Sequence, residues 1–160
     1  MKLESGDIVL FYTALKWYDP RTWPAAIIRL ALRYPYNHVG IVVKNWGVPF
    51  INEALGRGVV TSPAEVKLHG RYYKVLRPTN AFSENILCVL ANSKLGVGKY
   101  DYASLLIYHV LQLVTGKWYG KQDHARLTCS EYVGWVLDFD TYWTLTPKDI
   151  ATHPELREVC

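Results

Sequence analysis

Thr128-Cys129-Ser130-Glu131-Tyr132-Val133-Gly134-Trp135-Val136-Leu137 carries the pattern of a helix start. Thr128 supplies a capping hydroxyl, which accepts a backbone N–H left free in the first turn. Glu131 follows three residues later and completes a capping-box pattern. Cys129, Tyr132, Val133, Val136 and Leu137 recur at helical spacing, which predicts that they form a core-facing side. Cys129 therefore falls on the first turn, at the positive end of the helix dipole, where thiolate is favoured over thiol. Thiolate is the nucleophilic form of cysteine. The same position equally suits a small buried hydrophobe, and a base within reach is what separates the two readings.

The candidate base lies upstream on a strand. Asn37-His38-Val39-Gly40-Ile41-Val42-Val43 is a strand pattern, Asn45 to Pro49 turns it, and Phe50-Ile51-Asn52-Glu53-Ala54 returns. This predicts a hairpin with a loop of several residues. With the turn centred near Trp46 or Gly47, His38 lies opposite Glu53 or diagonal to it, on one sheet face. A one-residue slip would put the two on opposite faces.

Around this hairpin, Ile8 to Tyr12 is a compact apolar run, expected as a buried strand. Pro24 suits the first turn of a helix running from Ala25 to Arg33. Ile27, Ile28, Leu30, Ala31 and Leu32 form its apolar positions, with Arg29 and Arg33 placed outside. Val59 to Thr61 and Tyr72 to Leu76 are further strands, and Ser83 to Lys94 a helix. An apolar helix is expected from Ala103 to Val114, an aromatic-rich loop from Thr115 to Leu127, and a short helix at Thr146 to Ile150. Strands come early and most helices late, which favours an α+β fold over a doubly wound α/β one.

A length of 160 residues suits a single domain, 1–160, with a sizeable core. Half of the residues are hydrophobic and 14% are aromatic, so the chain is globular rather than disordered. The net charge of +4 is mild and no block of five or six like charges occurs, so neither a nucleic-acid partner nor a polybasic membrane anchor is expected. Cys88, Cys129 and Cys160 are odd in number and widely separated, which argues for reduced thiols and a cytoplasmic setting. The N-terminal residues Met1 to Asp7 show no signal region, and Ala103 to Val114 is too short to span a bilayer. Export by another route, or release on lysis, stays open.

A cysteine nucleophile needs a base, and the base needs an orienting group. Cys129, His38 and Glu53 supply all three roles. His38 would take the thiol proton and later return one to the leaving group, and Glu53 would hold the ring tautomer. The backbone N–H of Cys129 would stabilise an oxyanion. No paired Cys-x-x-Cys, His-Glu-x-x-His or phosphate-binding loop occurs, so no metal and no cofactor is expected.

Gly6-Asp7-Ile8-Val9-Leu10, Asn37-His38-Val39-Gly40-Ile41, Glu53, Tyr100-Asp101-Tyr102 and Cys129-Ser130-Glu131-Tyr132-Val133, in that order, resemble the NlpC/P60 superfamily of papain-like cysteine hydrolases. The order His before Cys resembles its circularly permuted branch, the YiiX-like amidases. The resemblance spans about Gly6 to Ile150. It implies a small antiparallel sheet or barrel packed against the nucleophile helix, with Cys129 as nucleophile, His38 as base and Glu53 as third polar residue. It places Tyr100 as a substrate or oxyanion contact. It implies cleavage of an amide bond, in a peptidoglycan stem peptide or another amino-acid amide. Permuted relatives that act on lipid acyl or amide groups make lipid amide hydrolysis or acyl transfer an alternative through the same residues. A non-catalytic binding module on the same scaffold is the reading from another class. Thr128 and Glu131 stand where peptidoglycan-cutting members usually have Asp and Gly. Trp17, Tyr18, Trp23, Tyr34 and Tyr36 crowd the segment before His38, and joint exposure of them favours a lipid or acyl substrate.

Overall fold

The structure is a computed structural model that describes residues 2–19, 22–80, 83–96, 107, 111, 115–117 and 127–159. Tyr100, Cys160, most of the expected helix 103–114 and most of the loop after it lie outside the described residues. In chain order the elements are β1 Ile8–Tyr12, α1 Trp23–Leu32, β2 His38–Asn45, β3 Val48–Leu55, β4 Gly58–Pro63 and α2 Ala64–Leu68. They continue with β5 Tyr72–Pro78, α3 Glu84–Ser93, α4 Cys129–Val136, a 3-10 turn at Tyr142–Thr144, α5 Pro147–Ala151 and β6 Leu156–Glu158.

The central hairpin is tighter than the sequence suggests. Asn45 pairs with Val48, so only Trp46 and Gly47 form the loop. Their φ values of 56° and 80° are both positive, the backbone that a two-residue turn needs to match the twist of its strands. Gly47 adopts it freely, and Trp46 adopts it with its side chain wholly in solvent.

Six strands form one sheet in the order β4-β3-β2-β1-β5-β6. Each neighbouring pair is antiparallel. The sheet is open, with β4 and β6 as its edges, so of the two expected forms, sheet or barrel, it is the sheet. Alternation along the strands gives it two apolar faces. Ile8, Leu10, Val39, Ile41, Val43, Ala54 and Leu76 pack with Leu87 and Ala91 of α3 and with Cys129, Tyr132, Val133 and Val136 of α4. Val9, Phe11, Val42, Ile51 and Val75 pack on the other side with Ala64 of α2. Cover on both faces explains why β1 and β2 are near-continuous apolar runs. Each such side chain stabilises the fold by about 1.5–3 kcal/mol on burial.

Three local expectations change. α1 turns so that Leu30 is exposed while Arg29 is half-buried, its guanidinium 4.5 Å from the Tyr12 ring centre. The aromatic ring offers Arg29 a partner that water-facing placement would not. α2 and β6 have no counterpart in the sequence reading. Each spans less than two periods of its pattern, too little for the pattern to show, and α2 follows directly on Pro63.

Candidate active site

Cys129 is the first residue of α4, and the start of that helix is fixed from two sides. The Thr128 hydroxyl accepts from the Glu131 N–H at 3.3 Å, and Glu131 Oε2 accepts from the Thr128 N–H at 2.6 Å. The capping box is therefore formed, with both of its side chains buried. The Ser130 hydroxyl donates to the Leu145 carbonyl at 2.6 Å, which ties the first turn to the segment after the 3-10 turn. Cys129 itself is buried.

His38 opens β2, with Phe11 of β1 as its cross-strand partner and its ring 5.8 Å from the Phe11 ring. Asn37 holds the strand start. Its Oδ1 accepts from the Thr13 N–H at 2.8 Å, and its own N–H donates to the Phe11 carbonyl at 3.1 Å. Ile41 pairs with Asn52, so one further step sets Gly40 across from Glu53 and His38 diagonal to it. Diagonal partners share a face, and His38 Nε2 lies 2.6 Å from Glu53 Oε2. Gly40 makes the close approach possible. A Cβ there would stand 2.8 Å from Ile51 Cγ2 and 3.1 Å from the Asn52 carbonyl oxygen.

Glu53 is fully buried, and the Lys67 ammonium contacts its other oxygen, Oε1. Sequence reasoning missed Lys67. It lies one helical turn after Ala64, so the two share the side of α2 that faces the sheet. Burial alone would raise the Glu53 carboxyl. The hydrogen bond and charge of His38, followed by those of Lys67, outweigh it and hold the carboxyl below its ordinary range.

Cys129 is the other group whose charge acts on the His38 ring. With Nε2 given to Glu53, Nδ1 is the ring nitrogen left for the thiol. Burial by itself would lower the imidazole. The charge of Cys129, then the hydrogen bond and charge of Glu53, reverse this and push it up to about 9. By alternation His38 belongs to the face of Phe11 and Glu53, whereas α4 packs on the opposite face. The contact is made at the first residue of β2, where the strand ends. The His38 side chain is 17% exposed, so the group between the two buried partners is the one that meets solvent.

The structure thus brings three of the four sequence-predicted residues together, Cys129, His38 and Glu53, and adds Lys67. Cys88 lies apart on α3, its Sγ 3.8 Å from the Lys44 carbonyl. Among the described residues no three His, Cys, Asp or Glu side chains form a group able to hold a metal ion.

A six-stranded antiparallel sheet with helices, and a histidine held between a buried carboxylate and a helix-start thiol, define the class of α+β fold in question. No family model matches the chain, and no curated protein matches it. Among solved structures it is similar to the crystal structure of the metalloprotein yiiX from Escherichia coli O157:H7, DUF1105. That likeness has a TM-score of 0.61 and 20% sequence identity, and covers 98% of this chain and 96% of that one. It shows a shared YiiX-like fold over nearly the whole length.

Proposed function

We propose that the chain is a papain-like cysteine hydrolase of permuted topology, cleaving an amide bond through an acyl-enzyme on Cys129. The observation that carries this reading is one imidazole, His38, hydrogen-bonded to Glu53 and raised by the charge of the helix-start cysteine, Cys129. The Cys129 thiolate attacks the carbonyl carbon, and the carbonyl π electrons move onto oxygen. The backbone N–H of Cys129, at the start of α4, stabilises that oxyanion. Its collapse breaks the C–N bond, and the amine leaves with the His38 proton. Water then gives a proton to His38 and adds to the thioester, and the acid is released with the thiol restored. Glu53 keeps the imidazolium oriented throughout.

A peptidoglycan stem peptide or another amino-acid amide is the first substrate class. Exposure of Trp17, Tyr18 and Trp23 together favours a second, a lipid amide or an acyl group for transfer through the same residues. The YiiX neighbour is described as a metalloprotein. The donors here do not fit a metal: Nε2 and Oε2 face each other in a direct hydrogen bond, and an ammonium holds Oε1.

The test is the rate of iodoacetamide labelling of Cys129 against pH, in the parent and in His38→Ala. Cys129 is expected to label well below the free-thiol value of about 8.5, and the variant to lose that shift. Amide hydrolysis needs imidazolium, so kcat/KM is expected to fall as pH rises through about 9, where His38 loses its proton. Alkylation needs only thiolate and shows no such fall. A folded parent whose Cys129 stays inert overturns the reading and leaves a binding module on an enzyme-like scaffold.

A further inference from the structure

α1 leaves an apolar stripe uncovered. Trp23, Ile27 and Leu30, at spacings of four and three, lie on one side of the helix and are exposed, Leu30 by 82%. The inward position is taken by Leu32, which is buried. Leu15, Trp17 and Tyr18, just before the helix, are exposed as well, Trp17 by 81%. Leu15, Trp17, Trp23, Ala26 and Ile27 line an open hollow of about 320 Å³.

Charge says what kind of surface this face meets. Apart from Arg29, which lies over the Tyr12 ring, residues 12–36 hold Lys16, Arg21 and Arg33 against Asp19 alone. Lys16 and Arg33 are exposed. Tryptophan and tyrosine favour the boundary between water and hydrocarbon, and lysine and arginine are drawn to anionic headgroups. A second copy of the chain would bring the same positive charge against it.

We propose that this face docks on an anionic phospholipid bilayer. The docking segment leaves β1 beside Phe11, the partner of His38, and returns at Asn37, which is bonded to Thr13. Both of its ends are therefore tied to the strand that carries the histidine, and docking holds the site close to headgroup level. The proposal goes beyond the hydrolase reading and does not depend on it.

Sedimentation of the full chain with vesicles tests it, using phosphatidylcholine alone and phosphatidylcholine mixed with phosphatidylglycerol. The parent is expected to partition into the anionic vesicles and hardly into the neutral ones, and to release as salt is raised. Trp17→Ser combined with Leu30→Ser lowers that partition by about tenfold or more. Lys16→Glu, on an exposed side chain, lowers it too and covers the case of a double variant that does not fold. Cys129→Ser binds like the parent, so failure of docking and failure of the thiol reading remain distinct. Absence of the parent from the anionic pellet overturns the proposal. So does equal binding to both vesicles that ignores the substitutions. A concentration-dependent doubling of mass, abolished by Trp17→Ser with Leu30→Ser, also overturns it, because a second copy then covers the face.

Discussion

A carboxylate with no exposed surface is stable only if its charge is matched, and Glu53 is matched twice, by His38 and by Lys67. Lys67→Met leaves Oε1 with a methyl group in place of an ammonium. The expected cost is about 1–3 kcal/mol, that of an unsatisfied buried acceptor, because His38 still holds the other oxygen. The pH dependence follows from the direction of the shift. The Glu53 carboxyl is held below its ordinary value in the folded chain. It contributes stability above the unfolded value of about 4.3, and that contribution is lost as pH falls through the folded value. Removing Lys67 raises the folded value, so the stability gap between parent and variant is largest at neutral pH and narrows in acid. Urea unfolding at pH 7 and pH 4 measures it, and a gap of equal size at both would show that Lys67 acts only through packing. Lys67 also marks where sequence reasoning ran out. Glu53 and His38 could be paired from a period of two across one hairpin, and Cys129 could be placed from a cap and a helical period. Lys67 reaches Glu53 through a five-residue helix whose position depends on tertiary packing alone.

Helix α4 shows the same limit at the level of an element. Its start was legible because a capping box is a local pattern, and Thr128 and Glu131 form it. What the helix rests on was not legible, since Tyr142 and Leu145 meet it only after the chain has turned back. Gly134 decides how closely they meet. A Cβ there would lie 2.7 Å from Leu145 Cδ1 and 2.9 Å from Tyr142 Cβ. Alanine in a helix interior ordinarily gains about 1 kcal/mol over glycine. Overpacking a tight contact costs about 1–3 kcal/mol, and Tyr142 Cβ, unlike the end of a flexible side chain, moves only with its backbone. Gly134→Ala is therefore expected to destabilise rather than stabilise. Leu145 also accepts the Ser130 hydroxyl beside Cys129, so the displacement reaches the nucleophile and slows its alkylation. Thermal unfolding with iodoacetamide labelling checks both effects together. A higher Tm with unchanged labelling would mean that the 3-10 turn yields to the helix.

At the scale of the whole molecule, β1 separates two charged centres that sit at opposite ends of the sheet. Phe11, near its end, lies against His38. Asp7, just before its start, is fully buried and takes two hydrogen bonds from Arg77, 2.7 Å from Nε and 2.9 Å from Nη2. Four residues of strand put the two about 13 Å apart. The general α+β class and the early strands were legible because apolar runs record burial, but the bond between Asp7 and Arg77 spans 70 positions and leaves no periodic trace. Likeness to a YiiX structure at 20% identity fits that division, since a pattern of burial survives substitutions that erase particular contacts. Arg77→Met is expected to cost about 3–5 kcal/mol, the penalty of a buried charge stripped of its partner. Only the Glu4 N–H, 2.8 Å from Oδ2, would remain of its side-chain contacts among the described residues. The alkylation rate of the molecules that stay folded should not change, because the loss falls at the end of β1 away from His38. Adding Asp7→Asn to Arg77→Met removes the orphaned charge and should recover part of the lost stability. Urea unfolding of the two variants, with labelling below the transition, separates the outcomes. If Arg77→Met instead slows labelling while the fold holds, the two ends of the sheet are coupled through β1, and the site depends on an ion pair it does not touch.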